Sequence, residues 1–298
     1  MNFKRSMLLM IVLVMVFALV GCGDTYVASS AVADGAEGYF VNYPEDKNLI
    51  NEKAFVEKLQ AGEELFILDI RATKDYEESH PRGAVHVPWK EVGVNLDKLP
   101  ADQTIYILCY SGQTAGQTVS LLNVAGFDAK SVRFGMVRGV SKQDGFEDIM
   151  ESGSNDFPSV KSLNIDADVE EAIVAYFQGL KDGEGMYGSN IISAEAAQAF
   201  LNDDSVVFLS IRKTEDFEKA HIPGASHMSF GKGMQENFGD LPKDKTIIVY
   251  CYSGQTSGQT VAILRLLGYD AISLHSGMGV GLTGDRGWAN EGYATESK

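Results

Sequence analysis

The chain has 298 residues, enough for two ordinary domains, and its 45% hydrophobic and 22% charged content is that of a globular protein rather than a disordered one. A formal net charge of −16 argues against a nucleic-acid-binding surface, because a phosphate backbone selects for basic side chains. The same charge provides no long-range field to draw small anions in, so any anion site has to be built locally from backbone N–H groups or a few basic side chains.

At the N-terminus, Lys4 and Arg5 precede an uninterrupted apolar run from Met7 to Val20. The run is short for a membrane span, which needs about 20 residues, and fits the hydrophobic region of a signal peptide. Leu19-Val20-Gly21-Cys22 follows. It resembles the bacterial lipobox, which implies lipidation of Cys22 as the first mature residue. Residues 1–21 are therefore read as a lipoprotein signal peptide, and residues 22–37, small, polar and weakly patterned, as a tether. The alternative is an uncleaved anchor with an incidental cysteine. Both readings place the body of the protein outside the cytoplasm, held at the cell membrane.

The rest of the chain is a repeat. The run Cys109-Tyr-Ser-Gly-Gln-Thr-Ala-Gly-Gln-Thr-Val recurs from Cys251 with a single change, Ala115 to Ser257. Upstream, the segment from Asp69 to Ala84 matches the one from Ser210 to Ala225, and the similarity reaches back to Tyr39-Phe40 and Tyr176-Phe177. A period near 140 residues is too long for a solenoid unit and marks a duplicated domain. The expected boundaries are 38–150 for the first domain, 151–166 for a linker and 167–298 for the second domain.

Each copy alternates its elements in the same order. Asn51 and Ser193 are N-caps ahead of apolar residues at helical spacing. Apolar strands are expected over Leu65 to Ile70 and Val206 to Ile211, and again over Ile105 to Leu108 and Ile247 to Tyr250. A helical pattern then runs to Gly126 or Gly268, where glycine caps the C-terminus. The junction falls in the polar stretch from Glu151 to Pro158, and a helix from Ala167 to Leu180 is expected to open the second domain. Short β-rich runs between amphipathic helices read as an α/β fold, each domain a mainly parallel sheet flanked by helices.

Each repeated cysteine stands at the C-terminal end of a strand, ahead of a glycine-containing turn and a helix, which is the sheet edge where open α/β folds bind ligands. Backbone N–H groups of the turn and the helix N-terminus direct partial positive charge into the loop, favouring a thiolate and an approaching anion. A lone cysteine on an apolar strand is more often a packing residue. Duplication of the whole loop, in a chain whose third cysteine is Cys22, reverses that judgement. A Cys109–Cys251 disulfide is the remaining alternative, and their equivalent positions in two copies speak against it.

The Cys-x-x-Gly-x-Thr loop, the Asp-Ile-Arg segment at 69–71 and the His-Ile-Pro-Gly-Ala segment at 221–225 together resemble the rhodanese family, in its order and spacing and over nearly all of both repeats. The resemblance implies two tandem rhodanese-like domains in a sulfurtransferase that moves sulfane sulfur from thiosulfate, polysulfide or a small persulfide to a thiol or cyanide, through a cysteine persulfide. It implies Cys109 and Cys251 as sulfur acceptors. The surrounding substrate loops are Tyr110, Ser111, Gly112, Gln113, Thr114 and Ala115, and Tyr252, Ser253, Gly254, Gln255, Thr256 and Ser257. No cofactor or metal is implied, and no protein partner is identified.

The departures from the family are specific. The loops lack the basic residues of thiosulfate-using members, and tyrosine follows each cysteine where mercaptopyruvate-type enzymes have glycine. Ser210 replaces the usual aspartate in the second copy, and Pro81-Arg82 replaces Ile-Pro in the first. A non-catalytic sulfur carrier or sensor serving a partner oxidoreductase is the competing function. Cysteine phosphatases of related fold carry an arginine six residues after the cysteine, where this chain has Ala115 and Ser257, so that reading is rejected.

Asp69, Arg71, Asp75 and His80, with Arg212, Asp216 and His221, are read as structural support, the arginines pairing with Asp75 and Asp216 to fix a turn. His80/His86 and His221/His227 share a spacing, but nothing in sequence completes a metal set with them.

Overall fold

A computed structural model describes residues 27–180, 189–280 and 283–298. The segment before residue 27, with Cys22 and the expected signal peptide, lies outside the described residues. In chain order the first half contains α1 (Ser30–Val41), β1 (Leu49–Ile50), α2 (Glu52–Gln60), β2 (Phe66–Asp69), α3 (Thr73–Glu78), β3 (His80–Pro81), β4 (Val85–His86), β5 (Ile105–Leu108), α4 (Gln113–Ala125), β6 (Ala129–Val132) and β7 (Met150–Glu151). The second half contains α5 (Ala167–Gln178), β8 (Ile191–Ile192), α6 (Ala194–Gln198), β9 (Val206–Ser210), α7 (Thr214–Lys219), β10 (Ser226–His227), β11 (Thr246–Tyr250), α8 (Gln255–Leu266) and β12 (Ala271–Leu274).

Two five-stranded sheets result, ordered β1-β6-β5-β2-β4 and β8-β12-β11-β9-β10, with every pairing parallel. The expected α/β architecture is present in both copies. Asn51 and Ser193 cap α2 and α6 as their sequence context suggests, each side chain accepting backbone N–H groups of the first turn.

The strands alternate their faces, as a period of two requires. Ile105 and Ile107 point into a central apolar core, and Leu108 into an outer one on the side of α2. The second sheet divides likewise, with Ile247 and Val249 central and Ile248 and Tyr250 outer. The central core is shared by both halves, because α4 and α8 pack against each other between the two sheets. That position explains why Gln117, Thr118 and Ser120 of α4 are fully buried along with its apolar residues. Trp288 is fully buried in the second outer core, whereas its counterpart Phe146 is half-buried at the edge of the first.

Three expectations about the connecting segments are corrected. Residues 30–37, read as tether, are the body of α1, started by the Ser29 cap and docked through the buried Val32, Ala36 and Phe40. The segment 151–166, read as a linker, is strapped along the first half. Met150–Glu151 pairs with His80–Pro81, the Asn155 N–H donates to Tyr76 Oη at 3.0 Å, and Phe157 packs near Phe66.

The third correction concerns α5. It does form at Ala167–Gln178, but Ile173 and Phe177 sit against Gly93 of the first half. Helix α1 reciprocates: Phe40 packs edge-on against Phe230 and Phe238 of the second half. Each repeat's leading helix thus covers the other repeat. Hydrophobic periodicity shows which face of a helix is apolar, not which neighbour will cover it.

Candidate active site: two cysteine loops at one interface

Cys109 and Cys251 follow the central strands β5 and β11 directly, at the C-terminal edges of their sheets. Both are buried and free, with no bridge between them. The loop doubles back through Gly112 or Gly254, whose φ values of 88° and 94° suit glycine alone. This turns the Gly112 N–H onto Cys109 Sγ at 3.0 Å and the Gly254 N–H onto Cys251 Sγ at 3.1 Å. Behind each loop the chain is pinned. The Met136 and Met278 N–H groups each donate to the cysteine carbonyl at 2.8 Å, and a Cβ on Gly135 or Gly277 would lie 2.4 Å from that same oxygen.

The tyrosine after each cysteine ties the loop to the helix after β2 or β9. The Lys213 N–H donates to Tyr252 Oη at 3.1 Å, and that hydroxyl donates to Asp216 at 2.6 Å. Tyr110 repeats the pattern with the Ala72 N–H and Asp75. The expected Arg71–Asp75 and Arg212–Asp216 pairs are therefore corrected, because these aspartates serve the tyrosines. Arg71 is held by Asp69 instead, with Nε 3.0 Å and Nη2 2.7 Å from its carboxylate and both residues buried. Ser210 occupies the aspartate position in the second copy. Among the described residues its hydroxyl and Arg212 Nε have no hydrogen-bond partner, and the Arg212 guanidinium lies 5.8 Å from the rings of both Tyr250 and Tyr252.

The histidines hold backbone. His80 and His221 bond through Nδ1 to the Tyr76 and Phe217 carbonyls at 2.7 and 2.8 Å and stack on those rings. Glu151 and Glu296 lie on their other nitrogens. His86 and His227 bond through Nε2 to the Arg71 and Arg212 carbonyls at 3.0 and 2.9 Å.

The glutamines are the largest departure from expectation. Gln113 and Gln255, read as parts of the substrate cradle, point away from their own cysteines into the opposite repeat. The Gln113 amide bonds Ser273, Leu274 and Ser276, and Gln255 Oε1 accepts the Phe134 N–H at 3.1 Å. The second glutamines of the motif are also interfacial. Tyr39 of α1 donates to Gln259 at 2.9 Å, and Tyr176 of α5 donates to Gln117. Ala115 is fully buried, while Ser257 in the same place brings its hydroxyl to 3.4 Å from Cys251 Sγ.

A cleft of about 740 Å³ opens on Cys251 between the repeats. Tyr252, Ser253, Gln255 and Thr256 of the loop line it, as do Arg212 and Lys213 of the second repeat. Asp46, Lys47, Arg133 and Phe134 close it from the first repeat. Arg133 is anchored there by Glu52, with Nε to Oε2 at 2.6 Å and Nη2 to Oε1 at 2.9 Å. Sequence reasoning placed Arg212 in a supporting turn and missed Lys47, Arg133 and Lys213. They lie outside the loop motif, and two of them belong to the other repeat. Around the cleft four basic side chains stand against two acidic ones, whereas the cysteine loop itself is uncharged.

Comparison with known proteins gives a consistent picture. A family model described as a rhodanese-like domain matches residues 52–140 and 193–279. YrkF of Bacillus subtilis (strain 168), named a candidate sulfur carrier protein, is 36% identical over 78 residues, 26% of this chain and 42% of its own. The thiosulfate sulfurtransferase GlpE of Tolumonas auensis is 30% identical over 81 residues, 27% of this chain and 76% of its own. The crystal structure of thiosulfate sulfurtransferase from Pseudomonas aeruginosa aligns with 90% of this chain and 70% of its own, at 17% identity and a TM-score of 0.32. This chain thus spans less than half the length of YrkF, and the GlpE match is the size of one repeat.

Proposed function

Because the chain belongs to the rhodanese family, we propose that it is a sulfurtransferase working through persulfides on Cys109 and Cys251. The observation that carries this reading is the placement of each cysteine sulfur at a strand end with a glycine N–H on it, Cys251 also opening on a cleft lined with basic groups. Such a loop favours the thiolate, which is the nucleophile. With thiosulfate, the thiolate attacks the outer sulfur, the S–S bond of the donor breaks, and sulfite leaves with the bonding pair. Attack of cyanide or a thiolate on the terminal sulfur then returns the cysteine thiolate and carries the sulfur away. Polysulfide and small persulfides fit the same exchange, the shortened donor thiolate leaving in place of sulfite. The chemistry calls for no metal or cofactor.

The test is mass spectrometry of the intact chain after exposure to thiosulfate, polysulfide or a small persulfide. One sulfur atom is expected on each reactive cysteine, removable by cyanide. If neither cysteine gains sulfur from any of these donors, the reading falls. The name of YrkF supports a second reading, a sulfur carrier, which a partner oxidoreductase would load. That reading is favoured if the cysteines accept sulfur from a protein persulfide but show no steady turnover with small donors and cyanide.

We also propose that Cys22 is lipidated and anchors the protein on the outer side of the cell membrane. The apolar run and lipobox-like segment support this. Cys22→Ala is expected to release the protein from the membrane fraction or leave it unprocessed, and unchanged fractionation and mass overturn the proposal.

A further inference from the structure

The hydrogen bonds around Gln113 have only one possible direction. Its Oε1 accepts the Ser276 backbone N–H at 3.3 Å and its Nε2 donates to the Leu274 carbonyl at 3.1 Å, so the amide cannot be flipped. The same Nε2 donates to Ser273 Oγ at 2.8 Å. Ser273 therefore accepts from Gln113 and has its own proton free for Ser257 Oγ, 2.8 Å away. In the arrangement where Ser273 donates, Ser257 keeps its own proton for the Gly254 carbonyl at 3.1 Å or for Cys251 Sγ at 3.4 Å. A charged thiolate is the stronger acceptor of the two.

The first repeat has the same positions but no chain of bonds. Gln255 Nε2 and Ser131 Oγ, the counterparts of Gln113 Nε2 and Ser273 Oγ, are buried without hydrogen-bond partners among the described residues. Ala115 supplies no hydroxyl to join them to Cys109. Cys109 Sγ accepts from the Gly112 N–H, whereas Cys251 Sγ has Gly254 and Ser257 together.

We propose that Ser257 is a positioning residue for Cys251, oriented by Gln113 from the other repeat's cysteine loop, and that this makes Cys251 the faster-reacting of the two cysteines. As a statement about sulfur transfer this rests on the sulfurtransferase reading, in which Cys251 would load first. The physical effect is independent of it. A donor on sulfur favours the thiolate. Intrinsic nucleophilicity falls with a Brønsted slope of only about 0.4–0.5, so the gain in thiolate at neutral pH outweighs the loss.

Site-resolved alkylation of the full chain by iodoacetamide, followed by peptide mass spectrometry, tests the proposal without any sulfur donor. Cys251 is expected to react about threefold to tenfold faster than Cys109 at neutral pH, the range one hydrogen bond to a charged sulfur allows. Ser257→Ala should remove that advantage while leaving the Cys109 rate unchanged. A merely structural defect in the shared core would move both rates. The charged groups lining the cleft, Asp46, Lys47, Arg133, Arg212, Lys213 and Glu215, are the same in both proteins.

Gln113→Ala, although in the first repeat, should slow Cys251. Ala115→Ser puts the hydroxyl of Ser257 at the equivalent position beside Cys109 and should speed that cysteine, and it keeps the test available if Ser257→Ala does not fold. An unchanged Cys251 rate in Ser257→Ala, or an unchanged Cys109 rate in Ala115→Ser, overturns the proposal. If the alkylation pattern holds but no donor loads sulfur, the sulfurtransferase reading fails alone. If sulfur loads but the pattern is absent, this inference fails alone.

Discussion

Asp69 and Ser210 occupy one position in two copies and leave their arginines in different states. Arg71 is buried against a carboxylate, so Asp69→Ala strands a buried charge and is expected to cost about 3–5 kcal/mol. Ser210 Oγ has no hydrogen-bond partner among the described residues, so Ser210→Ala is expected to cost under about 1 kcal/mol. Urea unfolding midpoints of the two variants check the contrast, and equal losses would contradict it. His275 has no histidine counterpart in the first repeat, where Arg133 stands instead. Burial, with Arg138 and Arg286 nearby, pulls its value down to about 4. A base whose folded value lies below its unfolded one contributes stability that is complete above about pH 6.5 and is lost as pH falls toward 4. Wild type should therefore lose stability more steeply than His275→Gln across that window in acid titrations followed by thermal melts.

At the scale of elements, α4 and α8 show why a repeated motif can carry two roles. Their first turns cross at Gly116 and Gly258, where an added Cβ would lie 2.4 Å from the Gln255 carbonyl oxygen and 2.5 Å from that of Gln113. Helix propensity favours alanine over glycine by about 1 kcal/mol. A clash with backbone atoms, which cannot rotate away, is expected to outweigh it by a further 1–3 kcal/mol or so. Gly116→Ala and Gly258→Ala should each lower the melting temperature, and a raised one would show that the crossing can loosen. The shared Gly-Gln-Thr-x-Gly-Gln run is thus an isologous contact, each copy meeting its equivalent, as well as part of a cysteine loop. Sequence reading credited it to the loop alone, because a repeat shows what recurs and not what it touches. The caps and strands were legible, since Asn51, Ser193 and the apolar runs act within a few residues of themselves.

For the whole molecule, the exchange of leading helices makes the halves depend on each other. Residues 167–298 alone would lack α1, whose Phe40 fills the ring cluster of Phe230 and Phe238, and would leave the buried α8 without α4. Such a fragment is expected to lose its near-ultraviolet circular dichroism while keeping helical signal, and to regain native signal when residues 27–166 are added. A fragment that folds fully by itself would show that the shared core is dispensable.

Length, charge, duplication, the order of strands and helices and the two cysteine loops could all be read from the chain, because periodicity, capping and motif spacing are local. Only the tertiary structure decided the covering of each repeat by the other's helix, the turning of Gln113 and Gln255 away from their cysteines, and the cations around Cys251. Those depend on pairings between residues far apart in sequence, chosen by which apolar faces and buried amides complement each other once both sheets exist. The paired cysteines look alike in sequence. Ala115 against Ser257, one hydroxyl buried beside Ser273, gives their sulfurs different surroundings.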